Sequence, residues 1–323
     1  MPPTIGLLTN PYSGGNLKSL STIEDMLSGY SNVVHKQASE PKSIACAISE
    51  FADKGVKVLA INGGDGTIQA VLTSLFVHQP FQEKPFLALL QGGSNNLIAK
   101  DVGLSGPAHK ALQRLCDQYN NKGNFKVVNR HILRLDLPAP AENRVLYGMF
   151  LGSGLLATGV GIYQKKIRRF HLIGDLNSLL AIGYLFFALA VKGKTYFGAG
   201  PIRLGFNENS LSSQDYLFFL TTTLNRLIFR LKPWWGRQYA PLRFTLVRSD
   251  YRSLAKFTFS LLVGFKSHCN KKGNSSISHN LYQLRIGCNP SLVLDGELIH
   301  PPKSDQPILV RDGGVASFLI DKK

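Results

Sequence analysis

The chain has 323 residues, 44% of them apolar and 18% charged, which is length enough for two ordinary hydrophobic cores. Its +17 net charge is unevenly placed: residues 1–128 hold 11 basic and 9 acidic groups (+2), and residues 129–323 hold 26 and 11 (+15). Such a field attracts anionic partners, and charge alone does not separate phosphorylated headgroups, an anionic membrane face and nucleic acid.

The opening residues, Met1-Pro2-Pro3-Thr4-Ile5-Gly6, place no basic region ahead of an apolar run, so a secretory signal is not expected and the expected compartment is the cytoplasm. Ile5-Gly6-Leu7-Leu8 reads as a buried strand running into the turn-rich loop Asn10-Pro11-Tyr12-Ser13-Gly14-Gly15. Residues 41–54 put Ile44, Ala47, Ile48, Phe51 and Ala52 on one helical stripe, with Gly55 where a left-handed stop belongs. A second buried strand over 56–61 ends in Asn62-Gly63-Gly64-Asp65-Gly66-Thr67, and a helix resumes over 68–76. A third, over 86–90, ends in Gln91-Gly92-Gly93-Ser94-Asn95-Asn96 before another helical stretch. Strand, loop and helix repeated in this order predict a parallel sheet with helices on both faces, and all three glycine-rich loops fall at the carboxyl edge where ligands gather.

After residue 128 the periodicity changes to two. Residues 132–137, 145–150, 244–247 and 257–261 alternate with Thr, Val, Phe and Tyr, which predicts antiparallel sheets. A helical insert is expected over 164–192, opening with Lys165, Lys166, Arg168 and Arg169. Its apolar stretch over 178–191 is about 14 residues, against roughly 20 for a spanning helix, so membrane contact is expected to be peripheral. Cys46, Cys116, Cys269 and Cys288 have no metal-ligand spacing and are expected as reduced thiols.

Glycines between a strand and a helix let backbone amides approach a polyphosphate, helped by the positive end of the following helix. In that setting Asp65 points to a magnesium ion or an acceptor hydroxyl. A tight turn is the plainer reading of Gly-Gly-Asp, but three such loops share one edge. Late in the chain, Asp295-Gly296 alone reads most simply as a two-residue hairpin turn.

The ordered set NPYSGG, NGGDGT, GGSNN and LDGEL (294–298) resembles the diacylglycerol kinase catalytic family, which includes sphingosine, ceramide and bacterial lipid kinases. The resemblance implies an N-terminal three-layer α/β nucleotide-binding domain of the NAD kinase and phosphofructokinase kind over 1–128, completed by 305–323. A C-terminal antiparallel β-sandwich for the lipid would cover 129–304. It also implies ATP and magnesium, with Asn10, Ser13 and Gly14 in the first nucleotide loop, Gly63, Gly64, Gly66 and Thr67 around the phosphates, and Gly92, Gly93, Ser94 and Asn95 beside the adenine and ribose. Asp295 would be the base, with Glu297 beside it, and Asp65 the magnesium partner, although one branch of the family suggests the base role for Asp65.

Three positions depart from the family's common pattern: Gln69-Ala70 where Asn-Glu is frequent, Gly93 where a Thr is frequent, and Asn96 where an Asp is frequent. The expected activity is phosphoryl transfer to a hydroxyl of diacylglycerol or a related lipid. A catalytically weak lipid-binding homologue and an NAD kinase are the alternatives. The partners expected are a lipid substrate at a membrane surface, anionic phospholipid and a second copy of the chain, with no nucleic acid. Two segments carry the membrane expectation: the basic start of the insert, and residues 226–237, where Trp234 and Trp235 lie among Arg226, Arg230, Lys232 and Arg237.

Overall fold

The computed structural model describes residues 5–16, 20–120, 125–141, 144–162, 200–248, 276–287 and 290–322. The insert expected over 164–192, the strand expected over 257–261, Cys269 and Cys288 lie outside the described residues. Among the described residues the chain divides into two units, one running to Arg130 and rejoined at Gly314, the other running from His131 to Gly313.

The first unit contains β1 (Ile5–Thr9), α1 (Leu20–Leu27), β2 (Val33–Gln37), α2 (Pro41–Asp53), β3 (Val58–Gly63), α3 (Asp65–His78), β4 (Phe86–Gln91), α4 (Leu97–Val102) and α5 (Ala108–Asn120). The strands are parallel in the order β2-β1-β3-β4. β1 and β3 are buried along their whole length, as their unbroken apolar runs require of strands covered on both faces. On one face Ile5, Leu7, Val58, Ala60, Ala88 and Leu90 pack with Ile23 of α1 and with Ala111, Leu112, Leu115 and Cys116 of α5. On the other, Gly6 leaves room for the Phe51 ring of α2, and α2 packs on α3. Helix α2 starts at Pro41 behind a Glu40–Ser43 capping box and stops at Gly55, whose φ is +67°. The three layers follow from where the apolar stripes of these helices lie.

The second unit is built from strands. In chain order they are β5 (Phe125–Asp136), β6 (Val145–Gly148), β7 (Phe150–Gly154), then helix α6 (Leu155–Ile162), β8 (Gly200–Phe206), β9 (Ser212–Tyr216), β10 (Phe218–Thr222), β11 (Leu242–Val247), β12 (Ser276–Leu281), β13 (Gln283–Ile286), β14 (Leu292–Leu294), β15 (Glu297–Ile299) and β16 (Ile308–Asp321). One antiparallel sheet has the order β12-β11-β10-β7-β14-β15. In the facing sheet the first part of β16 pairs with β13, followed by β8 and β9, and β5 pairs with β6. Leu133, Leu135, Ile202, Leu204, Leu284, Ile286, Ile308 and Val310 from this sheet pack against Leu151, Phe219, Leu242, Phe244, Leu246, Leu292 and Leu294 from the other, giving a sandwich core. The second part of β16 serves the first unit, where Phe318 lies parallel to Leu87 of β4.

The single strand expected over 145–150 is interrupted at Met149. β6 pairs with β5 in one sheet and β7 pairs with β10 and β14 in the other, so the chain changes sheets at that residue. Among the described residues no helix is long and apolar enough to cross a membrane.

Candidate functional site

The three glycine-rich loops are gathered by parallel register: Thr9 lies beside Asn62, Asn62 beside Leu90, and Gly63 beside Gln91. From these adjacent strand ends the loops lock together through hydrogen bonds. Asn10 N–H donates to Asn62 O at 2.9 Å, and Asn10 Nδ2 donates to Thr67 Oγ1 at 2.9 Å. Ser13 Oγ accepts from Gly64 N–H at 3.2 Å, and Gly15 N–H donates to Gly92 O at 3.0 Å. Asn16, fully buried, donates from Nδ2 to both Asn10 O and Asn62 O at 2.9 Å.

The approach is close enough to demand glycine in the third loop. A Cβ on Gly93 would stand 2.5 Å from Gly64 Cα, and one on Gly92 would collide with Asn62 Oδ1. Ser94 presents its hydroxyl to Gly14, where a Cβ would likewise collide, and Asn95 is half-buried next to it. Asn10, Ser13, Gly14, Gly63, Gly64, Thr67, Gly92, Gly93 and Ser94 are thus brought into one cluster.

Helix α3 begins inside that cluster. Its N-cap is Gly64, which offers no side-chain cap, and the first intrahelical bond is Ile68 N–H to Gly64 O. The amides of Asp65, Gly66 and Thr67 therefore have no helical acceptor, and they stand at the positive end of the helix dipole. The side chain of Asn62 is fully buried beside Gly92, with neither amide atom partnered within the protein among the described residues, and Asn16 Oδ1 is in the same state. Open amides, glycine-lined space and orphaned buried polar atoms fit an anionic, hydrogen-bonding ligand such as a nucleotide phosphate.

Asp65 has a job of its own. Its Oδ2 accepts from Leu97 N–H and its Oδ1 from Ile98 N–H, both at 2.9 Å, so the carboxylate caps α4 and fixes the third loop. Burial pushes its pKa up, while the two amides and Lys100 pull it back. Asn96, at φ 53°, exchanges a pair of bonds with Gly93: Oδ1 accepts from N–H at 2.7 Å and Nδ2 donates to O at 2.8 Å. An Asp there would have no donor for the second bond, which accounts for the amide.

Magnesium fits these residues poorly. Among the described residues no three His, Cys, Asp or Glu side chains gather, and the oxygens of Asp65 are turned onto backbone. Both carboxylate oxygens of Asp65, the residue expected as the metal partner, are instead engaged by the amides of Leu97 and Ile98.

In the second unit, Asp295 and Gly296 form the two-residue turn between β14 and β15, with φ of 48° and 90°. The residue is 2% exposed, and its carboxylate turns inward onto the point where the chain changes sheets. Met149 N–H donates to Oδ2 at 2.9 Å and Phe150 N–H to Oδ1 at 2.8 Å, while Asp295 N–H donates to Phe150 O at 2.9 Å. Glu297 is exposed on β15. In the Gly152-Ser153-Gly154-Leu155-Leu156 segment, Ser153 donates to Ser291 O at 2.8 Å, and Gly154, at φ +69°, leaves no space for a Cβ beside Leu217 O. That segment serves close packing.

Reading the sequence for motifs did not single out Asn16, Asn62, Met149 or Phe150. Asn62 was in plain view before Gly63, but no spacing announced that Asn16 would bridge two loops, and backbone amides have no sequence signature.

Residues 4–127 match the family model for the diacylglycerol kinase catalytic domain. A probable lipid kinase YegS-like of Enterobacter sp. (strain 638) is 30% identical over 108 residues, which are 33% of this chain and 36% of that protein. The match thus spans about a third of the curated relative's length. Putative diacylglycerol kinases from Bacillus anthracis str. Sterne share the fold: two solved structures give TM-scores of 0.64 and 0.66 at 16% identity, covering 98% and 99% of this chain and 97% of each of theirs. Glycine-rich loops interlocked at the carboxyl edge of a parallel sheet thus fall within the stretch, residues 4–127, that is similar to the diacylglycerol kinase catalytic domain.

Proposed function

We propose that the chain is an ATP-dependent lipid kinase that phosphorylates a hydroxyl of diacylglycerol or a related lipid. The observation that carries this reading is the interlock of three glycine-rich loops around the uncapped start of α3, within the residues that match the kinase domain. ATP supplies the phosphoryl group when bound, and the amides of Gly66 and Thr67, with the glycine backbone of loops one and three, are the groups that hold its phosphates. Asn10, Ser13, Asn16 and Asp65 act by fixing those amides in place before the nucleotide arrives, so little ordering cost is left at binding.

On the acceptor side, Asp295 takes the hydroxyl proton as the oxygen–phosphorus bond forms and the bond to the ADP oxygen breaks. Because the carboxylate is buried against Met149 and Phe150, the hydroxyl must come to the lone pairs that do not face those amides. Glu297, exposed one strand position beyond the turn, supports the site with its charge.

A second reading is favoured by one observation: both Asp65 and Asp295 turn their carboxylates onto backbone amides. A homologue that binds nucleotide and lipid but turns over weakly would have these features. Purified protein given labelled ATP, magnesium and a panel of diacylglycerol, sphingosine, ceramide and NAD separates the two. The kinase reading expects labelled lipid from wild type, at least about a hundredfold less from Asp295→Asn, and no labelled NAD. Equal background from both proteins on every lipid would leave only the binding homologue.

A further inference from the structure

Thr223 N–H donates to Met149 O at 3.0 Å and Thr222 Oγ1 donates to the same oxygen at 2.7 Å, so the chain leaving β10 departs from the residue whose amide Asp295 holds. Arg243 secures this departure, donating to Thr223 O and Leu224 O at 3.1 and 2.7 Å and to Asn225 Oδ1 at 2.9 Å, with its guanidinium 5.4 Å from the Trp234 ring. Further along, Ser278 Oγ accepts from Trp235 N–H at 3.0 Å and Thr245 donates to Pro233 O at 2.6 Å. The loop is therefore pinned at both ends.

Its tryptophans are half-buried. With Leu227 they pack against Phe150, Leu155, Phe218, Leu220 and Val247 on the side of the β10 sheet away from the sandwich core. What the loop turns outward is different. At Phe229 and Arg230 the backbone takes two successive left-handed residues, φ 56° and 58°, and Phe229 is left 45% exposed. Arg230, Lys232, Arg237 and Tyr239 of the same loop are also exposed, Tyr239 at 97%. No ion pair engages Arg230, Lys232 or Arg237 among the described residues.

We propose that the loop from Leu227 to Tyr239 docks the protein on an anionic phospholipid bilayer, with Phe229 entering the headgroup boundary and Arg230, Lys232 and Arg237 meeting lipid phosphates. The occupant is a bilayer because exposed cations, with no ion pair among the described residues, share a hydrogen-bonded loop with an exposed aromatic, in the half of the chain that carries +15. The inference deepens the lipid kinase reading and rests on it for its purpose, since the loop springs from the residue beside Asp295.

The test uses the full chain, vesicles of phosphatidylcholine alone or mixed with phosphatidylglycerol, and two variants. One carries Arg230→Glu, Lys232→Glu and Arg237→Glu; the other is Phe229→Asn, which suits a left-handed residue. Binding is measured by co-sedimentation without nucleotide, turnover is measured on long-chain diacylglycerol in vesicles and on a water-soluble short-chain diacylglycerol, and thermal melting checks the fold. Wild type is expected to bind the mixed vesicles and to be released by salt. The triple variant should bind on the order of 100-fold more weakly and Phe229→Asn roughly tenfold more weakly, both with unchanged turnover of the short-chain acceptor. Variants that bind like wild type, a wild type indifferent to phosphatidylglycerol, or variants that lose the short-chain rate as well would each overturn the docking role. Docking without turnover of either acceptor would instead remove the kinase reading and leave the docking surface standing.

Discussion

Asn96 and Gly93 exchange a donor and an acceptor each, and that reciprocity makes a sharp prediction at the scale of one residue. Asn96→Asp, although it restores the acid common in the family, removes the Nδ2 donor and sets a carboxylate against Gly93 O. It should lower stability by about 1–3 kcal/mol in thermal denaturation, whereas a gain in stability would show that the pair is not formed. Asp65 supplies a pH dependence. Burial raises its pKa above the ordinary 3.8, against the pull of its two bonds to α4. The folded chain therefore holds this proton to a higher pH than the unfolded chain, and the cost of burying the charge is relieved as the pH falls through the raised pKa. Thermal stability measured against pH should gain from that protonation, and Asp65→Asn should lack the gain. Of these residues the sequence disclosed Asp65 by type and setting, but not its partners. A carboxylate beside glycines reads the same whether it faces a metal or two amides 32 and 33 positions away.

At the scale of elements, α5 buries Cys116 against the sheet while Cys46 of α2 is exposed. Burial pushes the Cys116 thiol up to about 12. Iodoacetamide at neutral pH, followed by peptide mass spectrometry, should label Cys46 in the native protein and reach Cys116 only after unfolding; early labelling of Cys116 would contradict the packing of α5. The hairpin of β14 and β15 yields another expectation. Asp295→Ala leaves the amides of Met149 and Phe150 without their acceptor at the sheet change, which should cost about 2–4 kcal/mol. Urea unfolding measures it, and a cost near zero would mean that water takes over both bonds. Helix α2 was legible almost to the residue because Pro41, the apolar stripe and Gly55 agree. Helix α3 starts at Asp65, three residues before the apolar pattern begins, since the weak helix former Gly66 hides a start that the loop contacts enforce. The break at Met149 was illegible, because the alternation continues through it and only a partner 146 positions away ends the strand.

Over the whole molecule, the switch from apolar runs with glycine loops to period-two alternation marked the change from parallel to antiparallel sheet. Which strands pair across long separations was not written in that pattern. β16 shows why: Ile308 to Arg311 pair with β13, while Phe318 joins β4, so one strand takes two partners far apart in the sequence. Nucleotide binding requires the loops of the first unit to form one phosphate cradle, and Gly64 offers a clean probe of it. A Cβ at Gly64 would sit 3.5 Å from Gly93 Cα, an ordinary contact that the fold tolerates, yet the methyl enters the space between the second and third loops. The direct measurement is calorimetric titration of ATP into wild type and Gly64→Ala, with melting temperatures taken in parallel. Wild type should bind, and the variant should melt alike while binding on the order of tenfold more weakly or worse. Equal affinity in two equally stable proteins, or no binding by wild type, would contradict the cradle.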